Sequence, residues 1–382
     1  MIVCFAGDAW DGNPHSRHHL MRELVRDYDV LFVEGLPMRG PMAADRTELR
    51  RIWRKLQAPV GLREVEPRLF ALRPPPVPPS GRAGRALQLR GARAAIGWAT
   101  RKARLGGHRI SWFSLPNVAP LRGAVGDRAS IHYYQDRYDA FTGVDGERLR
   151  RHLASLAAGC DVTVATSEPL ALDLRALGAH PVVVPHGVDL ARFAAGGPEP
   201  DDLAGLERPL AGFVGLIDDH VDVPALLAIA NALERGTVVL VGGDNIATTE
   251  LASHPRVRLL GRRPYETMPA YLAAFDVCLV PFGRSALTEG VNPIKLREYL
   301  AAGRPVVATP LPAVREYAHV VHLADDPASF AAAVREEAPL ARDPELVARR
   351  RAAVEGDSWH EAAERIAELL GAAQARAGLR GR

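Results

Sequence analysis

Residues 289–310 read EGVNPIKLREYLAAGRPVVATP, and a helix and a strand meet in them. Asn292 followed by Pro293 is a helix start, an N-cap side chain and then a proline at the first helical position. Residues 294–302 make a short helix, Gly303 ends it, and Pro305-Val-Val-Ala opens a strand. Lys295 falls in the first turn and Glu298 about one turn further on. A helix N-terminus offers unpaired N–H groups and positive dipole to an anion such as a diphosphate, and a lysine there adds a full charge. Glu298 is placed to accept hydrogen bonds from vicinal ribose hydroxyls. A capped surface helix with no ligand meets the same local description, and both readings stand on these residues alone.

Working outward, the same alternation fills the second half of the chain. Strands are expected at 210–217, 237–243, 257–261, 276–282, 304–310 and 319–324, with helices near 223–234, 265–274 and 326–337. The first half has strands at 1–7, 29–34, 68–72, 109–114, 129–134, 161–167 and 181–185, separated by amphipathic stretches at 16–26, 84–105, 146–158 and 168–177. Short, nearly continuous apolar strands alternating with helices mean parallel sheets covered on both faces. The Gly-, Pro- and acid-rich tract 194–209 reads as a linker. The expected class is α/β: two Rossmann-like, doubly wound domains facing across a cleft, 1–193 and 210–357. The amphipathic stretch 358–370 needs a surface for Ile366, Leu369 and Leu370.

Composition excludes several classes. The chain has 382 residues, 47% hydrophobic and 24% charged, within the ordinary globular range. It has no run of the roughly 18 apolar residues that a membrane span needs. The N-terminus reaches Asp8 without a signal peptide's basic region, and Cys4, Cys160 and Cys278 are far apart in apolar surroundings. A reduced, cytoplasmic protein is expected. Residues 1–185 hold 27 Lys+Arg against 18 Asp+Glu, a balance of +9, which leaves −6 for the rest of a +3 chain. The only lysines are Lys55, Lys102 and Lys295, so a lysine in the 289–310 segment stands out against the arginine bias.

Ligands in open α/β sheets bind beyond the carboxyl ends of the strands. The loops there include FAGDAWDG, HYYQDRYD, FVGLIDDH, VGGDN, LLGRRPYE and PFGRSALTEGVNPIK. None holds the glycine motif of dinucleotide enzymes or the lysine-ending phosphate loop of NTPases, and a hydride-transfer enzyme is demoted. Together with VVPHGVDLARF (183–193), GFVGLIDDHVDVPAL (212–226) and LLGRRPYETMPAYLAAFDVCLVPF (259–282), the 289–310 segment resembles the retaining GT-B glycosyltransferases of family 4, in a bacterial polysaccharide-assembly branch. The resemblance covers most of the chain and is strongest after residue 160. It implies that the last helix, 358–382, crosses back to the first domain.

The resemblance also implies roles for particular positions. Glu298 matches the glutamate that holds the donor ribose. The preceding motif glutamate falls at Gly290, so Glu289 takes its place only with a rearranged loop. The usual Arg and Lys of the nucleotide domain's first loop are missing. Lys295 is then the leading candidate for the positive charge at the diphosphate, with Arg284 or Arg262 behind it. Donor contacts are expected from Gly215, Gly242, Arg262, Pro264, Asn292, Pro293, Ile294, Lys295 and Glu298, and catalytic roles for Asp136, Glu289 and Lys295. On the acceptor side stand Asp8, Asp11, Arg17, His18 and Gln135, the last falling where the family has a histidine.

A glycosyltransferase of this kind would move a sugar from a nucleotide sugar, with a UDP-sugar favoured, to the hydroxyl of a small-molecule or lipid-linked acceptor. It would need no cofactor and no metal. A nucleotide-sugar 2-epimerase and a catalytically idle nucleotide-binding scaffold are the alternatives. His15, His18 and His19 have helical spacing, but no further ligand pattern follows for a metal. Residues 82–109 carry eight basic and no acidic side chains, interleaved with Leu87, Leu89, Ile96 and Trp98. Such a helix can lie on an anionic membrane or be a solvated outer face. Nucleic-acid binding is not expected, because no recognised module appears.

Overall fold

The computed structural model describes residues 1–36, 61–75 and 81–380. The chain divides into two compact units, Met1–Val184 with Ala362–Arg382, and Pro185–Glu361.

In the first unit the strands are β1 (Ile2–Gly7), β2 (Val30–Glu34), β3 (Gly61–Glu66), β4 (Leu69–Arg73), β5 (Ile110–Phe113), β6 (Ala129–Tyr134), β7 (Val162–Ala165) and β8 (Val182–Val183). They form one sheet in the order β3-β4-β2-β1-β5-β6-β7-β8. All pairs are parallel except β3 with β4. β1, β2, β5, β6 and β7 are apolar almost throughout and buried nearly end to end, as strands covered on both faces must be. β3, GLREVE, was not expected from the sequence. It lies at the sheet edge, where one face and one ladder stay open and polar residues are tolerated. The described helices are α1 (Ser16–Leu24), α2 (Gly81–Lys102), α3 (Gly146–Gly159) and α4 (Glu168–Ala176).

The second unit holds β9 (Leu210–Val214), β10 (Thr237–Val241), β11 (Val257–Gly261), β12 (Val277–Val280), β13 (Val306–Ala308) and β14 (His322–Leu323). Their order is β11-β10-β9-β12-β13-β14, all parallel. The helices are α5 (Leu190–Ala195), α6 (Val223–Ala232), α7 (Thr249–Ser253), α8 (Met268–Ala274), α9 (Ile294–Ala301), α10 (Pro312–Arg315), α11 (Pro327–Glu337) and α12 (Pro344–Ala352). The final helix, α13 (Trp359–Arg380), starts in this unit, and from Ala362 its residues group with the first. Ile366 and Leu370, on its apolar stripe, are fully buried.

The boundary between the units falls at Val184/Pro185, earlier than the 193 expected. Val188 and Phe193 belong to the hydrophobic core of the second unit. Val188 is held there because its N–H donates to the Asp357 carbonyl at 2.8 Å. The tract 194–209 is also fastened to that unit. Asp202 accepts from Arg263 and Tyr271, and Arg208 pairs with Asp276 at 2.9 Å.

Candidate functional site

A doubly wound sheet binds ligands where its winding direction reverses. In the second unit that point lies between β9 and β12, and the loops after these strands are tied together there. The Asp222 N–H donates to the Pro281 carbonyl and the Gly283 N–H to the His220 carbonyl, both at 2.8 Å. The loop after β10 joins them, with the Ile217 N–H donating to Gly243 and the Asn245 N–H to Ile217, both at 2.9 Å. Gly242 and Gly215 make this approach possible. A Cβ on Gly242 would overlap the Gly215 carbonyl, and a Cβ on Gly215 would overlap Lys295 Nζ.

Lys295 projects from the first turn of α9 into this junction. Its ammonium lies 4.1 Å from the Phe213 ring centroid and 4.9 Å from that of Phe282, so the ends of both flanking strands face it. Burial pushes its pKa down to about 8, against the attraction of Asp218 and Glu298. Glu298 is buried one turn deeper and accepts from the Tyr265 hydroxyl at 2.9 Å. Burial raises its pKa to about 7, with the Tyr265 bond and the Lys295 charge pulling the other way. The helix carrying both is fixed to the sheet because the Val214 N–H donates to the Tyr299 hydroxyl at 2.9 Å.

The expected helix start needs correction. Pro293, not Asn292, is the N-cap, and Ile294 is the first helical residue. The Asn292 side-chain oxygen accepts instead from Arg297, which is 1% exposed and pairs with Asp357 at 3.2 Å. A buried guanidinium left short of acceptors is costly, so it takes the asparagine oxygen. No side chain caps α9; the Leu296 N–H donates to the Pro293 carbonyl at 3.1 Å, so the N–H groups available at this end are those of Ile294 and Lys295.

Arg284 does not stand behind Lys295, because it is exposed and paired with Asp325. Arg262 is exposed and lies against Gly243, with no carboxylate partner among the described residues. Pro264 opens the turn Tyr265–Thr267, which presents Tyr265 to Glu298. Glu289 is exposed on the turn Thr288–Gly290, and no described hydrogen bond or ion pair joins it to Lys295 or Glu298.

In the first unit the winding reverses between β1 and β5, and the loop after β1 leads into α1. Asp8 forms an ion pair with Arg17, and His15 Nε2 lies 3.8 Å from the same carboxylate. The Ser16 hydroxyl donates to Gln135 Oε1. Asp8, Arg17 and Gln135 thus come together through the start of α1, with Asp136 next to Gln135 in the turn after β6. Asp11 is drawn elsewhere: it pairs with Arg63 at 2.9 Å, and Arg63 also reaches the buried Glu34.

His18 is not available to an acceptor. Its Nδ1 accepts from the His15 N–H at 3.0 Å, its Nε2 lies 3.2 Å from the Ala9 carbonyl, and its ring packs on Trp10 and Phe32. Burial pushes it down to about 3, so it is neutral near pH 7. His132 is fully buried within β6, and neither ring nitrogen has a partner. Among the described residues no group of three or more His, Cys, Asp or Glu that could hold a metal ion comes together.

Sequence reasoning missed the Asp218–His220 pair, whose Oδ1 and Nδ1 lie 2.8 Å apart in the loop after β9. It also missed Tyr265, Phe213 and Phe282. All stand in the strand-end loops or at their margins, which was the available signal, but only folding shows that they face α9.

Residues 208–337 match the family model described as glycosyl transferases group 1. The putative teichuronic acid biosynthesis glycosyltransferase TuaH of Bacillus subtilis is 32% identical over 160 residues, 39% of this chain and 40% of that protein. The match therefore spans about two fifths of the curated relative's length. Among solved structures, E. coli trehalose-6-phosphate bound with UDP-2-fluoro glucose superimposes with a TM-score of 0.69 at 11% identity, covering 96% of this chain and 98% of the other. Anabaena Alr3699/HepE in complex with UDP-glucose gives 0.65 at 14% identity, over 97% and 98%. By fold the chain is a GT-B protein of two Rossmann-like units, and its second unit is similar over residues 208–337 to the glycosyl transferases group 1 family.

Proposed function

We propose that the protein is a glycosyltransferase that moves a sugar from a nucleoside diphosphate sugar, with UDP as the favoured carrier, to an acceptor hydroxyl. The observation that carries this reading is the Lys295 ammonium at the β9/β12 reversal, beside an uncapped helix start, with Glu298 one turn deeper. The UDP-sugars named with the Anabaena and E. coli structures support the choice of donor, and TuaH supports a role in cell-surface polysaccharide assembly.

In this reading the sugar C1–O bond to the diphosphate breaks and its electron pair leaves with the nucleoside diphosphate. Lys295 and the first N–H groups of α9 stabilise that developing charge, an electrostatic role that requires no metal. Glu298 accepts from the ribose hydroxyls. The acceptor oxygen bonds to C1 on the face that the diphosphate leaves, and its proton passes to the departing phosphate oxygen, so configuration is retained. Asp136 orients the acceptor or sugar hydroxyls, and Glu289 reaches the sugar when its loop rearranges on donor binding.

Calorimetric titration with UDP, GDP, ADP, TDP and CMP, with and without magnesium, tests this reading. One diphosphate should bind best, equally in both conditions. Binding by none would refute the site, and binding only with magnesium would refute the metal-free mechanism.

A further inference from the structure

The remaining feature with a direction to it is the outer face of α2 in the first unit, which the donor site does not use. Every charged residue between Gly81 and Lys102 is basic. The helix packs inward through Ala92, Ile96, Ala99 and Thr100, all buried. At 100° per residue the opposite face carries Leu87, Ala94 and Trp98 in one stripe, flanked by exposed Arg90, Arg93, Arg101 and Lys102. Leu87 is 59% and Trp98 41% exposed, and the Lys102 ammonium sits over the Trp98 ring at 4.9 Å.

Leu87 is the most exposed large apolar side chain among the described residues, and with Trp98 it gains from any apolar layer that covers this face. The flank toward α3 adds to the imbalance. Arg85 lies close enough to Arg148 to disfavour its protonation, after burial itself, and His152 is lowered by burial and then by Arg148. Arg148 Nε itself lies 3.6 Å from Asp145 Oδ2, the one carboxylate on this flank that pairs with it among the described residues. A helix face whose charged residues are all cations complements an anionic sheet of phosphates above hydrocarbon, where the tryptophan and leucine would also be buried.

We propose that the outer face of α2 docks on an anionic phospholipid bilayer, with Leu87 and Trp98 entering the headgroup–acyl boundary and Arg90, Arg93, Arg101 and Lys102 contacting lipid phosphates. The contact is peripheral, since no described helix is long and apolar enough to cross a membrane. It is independent of the donor site, so nucleotide binding and vesicle binding can fail separately.

The test is co-sedimentation of the full chain with phosphatidylcholine vesicles, neutral or containing about 30% phosphatidylglycerol. Wild type should bind the anionic vesicles, lose binding in high salt, and ignore the neutral ones. The triple variant Arg90→Glu/Arg93→Glu/Arg101→Glu should bind at least about a hundredfold more weakly. Trp98→Ala, which leaves the charges intact, should weaken binding by roughly three- to tenfold. Unchanged circular dichroism and UDP affinity in these variants would show that folding is not the cause. Failure of wild type to bind anionic vesicles, or equal binding by the triple variant, overturns the proposal. So does a concentration-dependent dimer in solution that Leu87→Asp/Trp98→Asp dissociates, because the face would then belong to a second copy.

Discussion

Replacing Lys295 by methionine should make the unliganded protein more stable while removing its response to a nucleoside diphosphate. The folded lysine has a pKa of about 8 against an ordinary 10.5, lowered by burial. At about 1.4 kcal/mol per unit, holding the ammonium in this site costs roughly 3 kcal/mol. Below pH 8 the lysine is charged in both the folded and the unfolded chain, and this penalty is fully present. Between pH 8 and 10.5 the unfolded chain binds more protons, so stability rises with pH. Methionine keeps an apolar stem of similar length and forfeits the contacts with Phe213 and Phe282, worth about 1 kcal/mol. A net gain of about 1–2 kcal/mol should remain at pH 7, raising the melting temperature of the second unit by roughly 2–8 °C. Scanning calorimetry at pH 7 and pH 9.5, with and without UDP, reads every part of this. The advantage of the variant should shrink at pH 9.5. A hundredfold excess of UDP over its dissociation constant should stabilise wild type by about 2.7 kcal/mol and leave the variant unmoved. A variant less stable than wild type at pH 7 would refute the reasoning, as would equal stabilisation of both proteins by UDP.

Two further outcomes follow from packing and burial. Gly242→Ala should destabilise the second unit by about 3 kcal/mol or more, because the new Cβ meets the Gly215 carbonyl and backbone cannot step aside. Urea unfolding of the variant checks this, and a loss below about 1 kcal/mol would contradict it. His132 is pushed down to about 3 by burial. Between that value and 6.5 the unfolded chain binds more protons, so acid destabilises the first unit through this window. His132→Phe should flatten that part of the pH–stability curve and add about 1–2 kcal/mol at pH 7, since two unpartnered nitrogens leave the core. An unchanged acid profile would show that His132 finds a partner in solution.

Much of the fold was legible from the sequence because β-strands buried on both faces leave a local mark. IVCFAG, VLFVE and TVVLV read as strands whatever surrounds them. The polar strand Gly61–Glu66 was not legible, since at an edge nothing forces its residues to be apolar. Helix boundaries fell where caps compete for partners. Asn292 looks like a cap until the buried Arg297, five residues on, takes its side-chain oxygen.

The same division runs through the candidate site. Spacing alone put Lys295 and Glu298 in the opening turns of one helix, a matter of local periodicity. That Lys295 meets Gly215 and the Phe213 and Phe282 rings, and that Glu298 takes a hydroxyl 33 residues away, depends on strand order. β9 and β12 become neighbours only when the chain reverses its winding, with two other strands intervening in sequence. His18 shows the converse: its type and place in a strand-end loop suggested an acceptor contact, and packing against Trp10 and Phe32 made it a neutral core residue. Residue type and spacing determined which chemistry was available here. Burial, which arises only from segments distant in sequence packing together, decided which groups carry charge and which face a ligand.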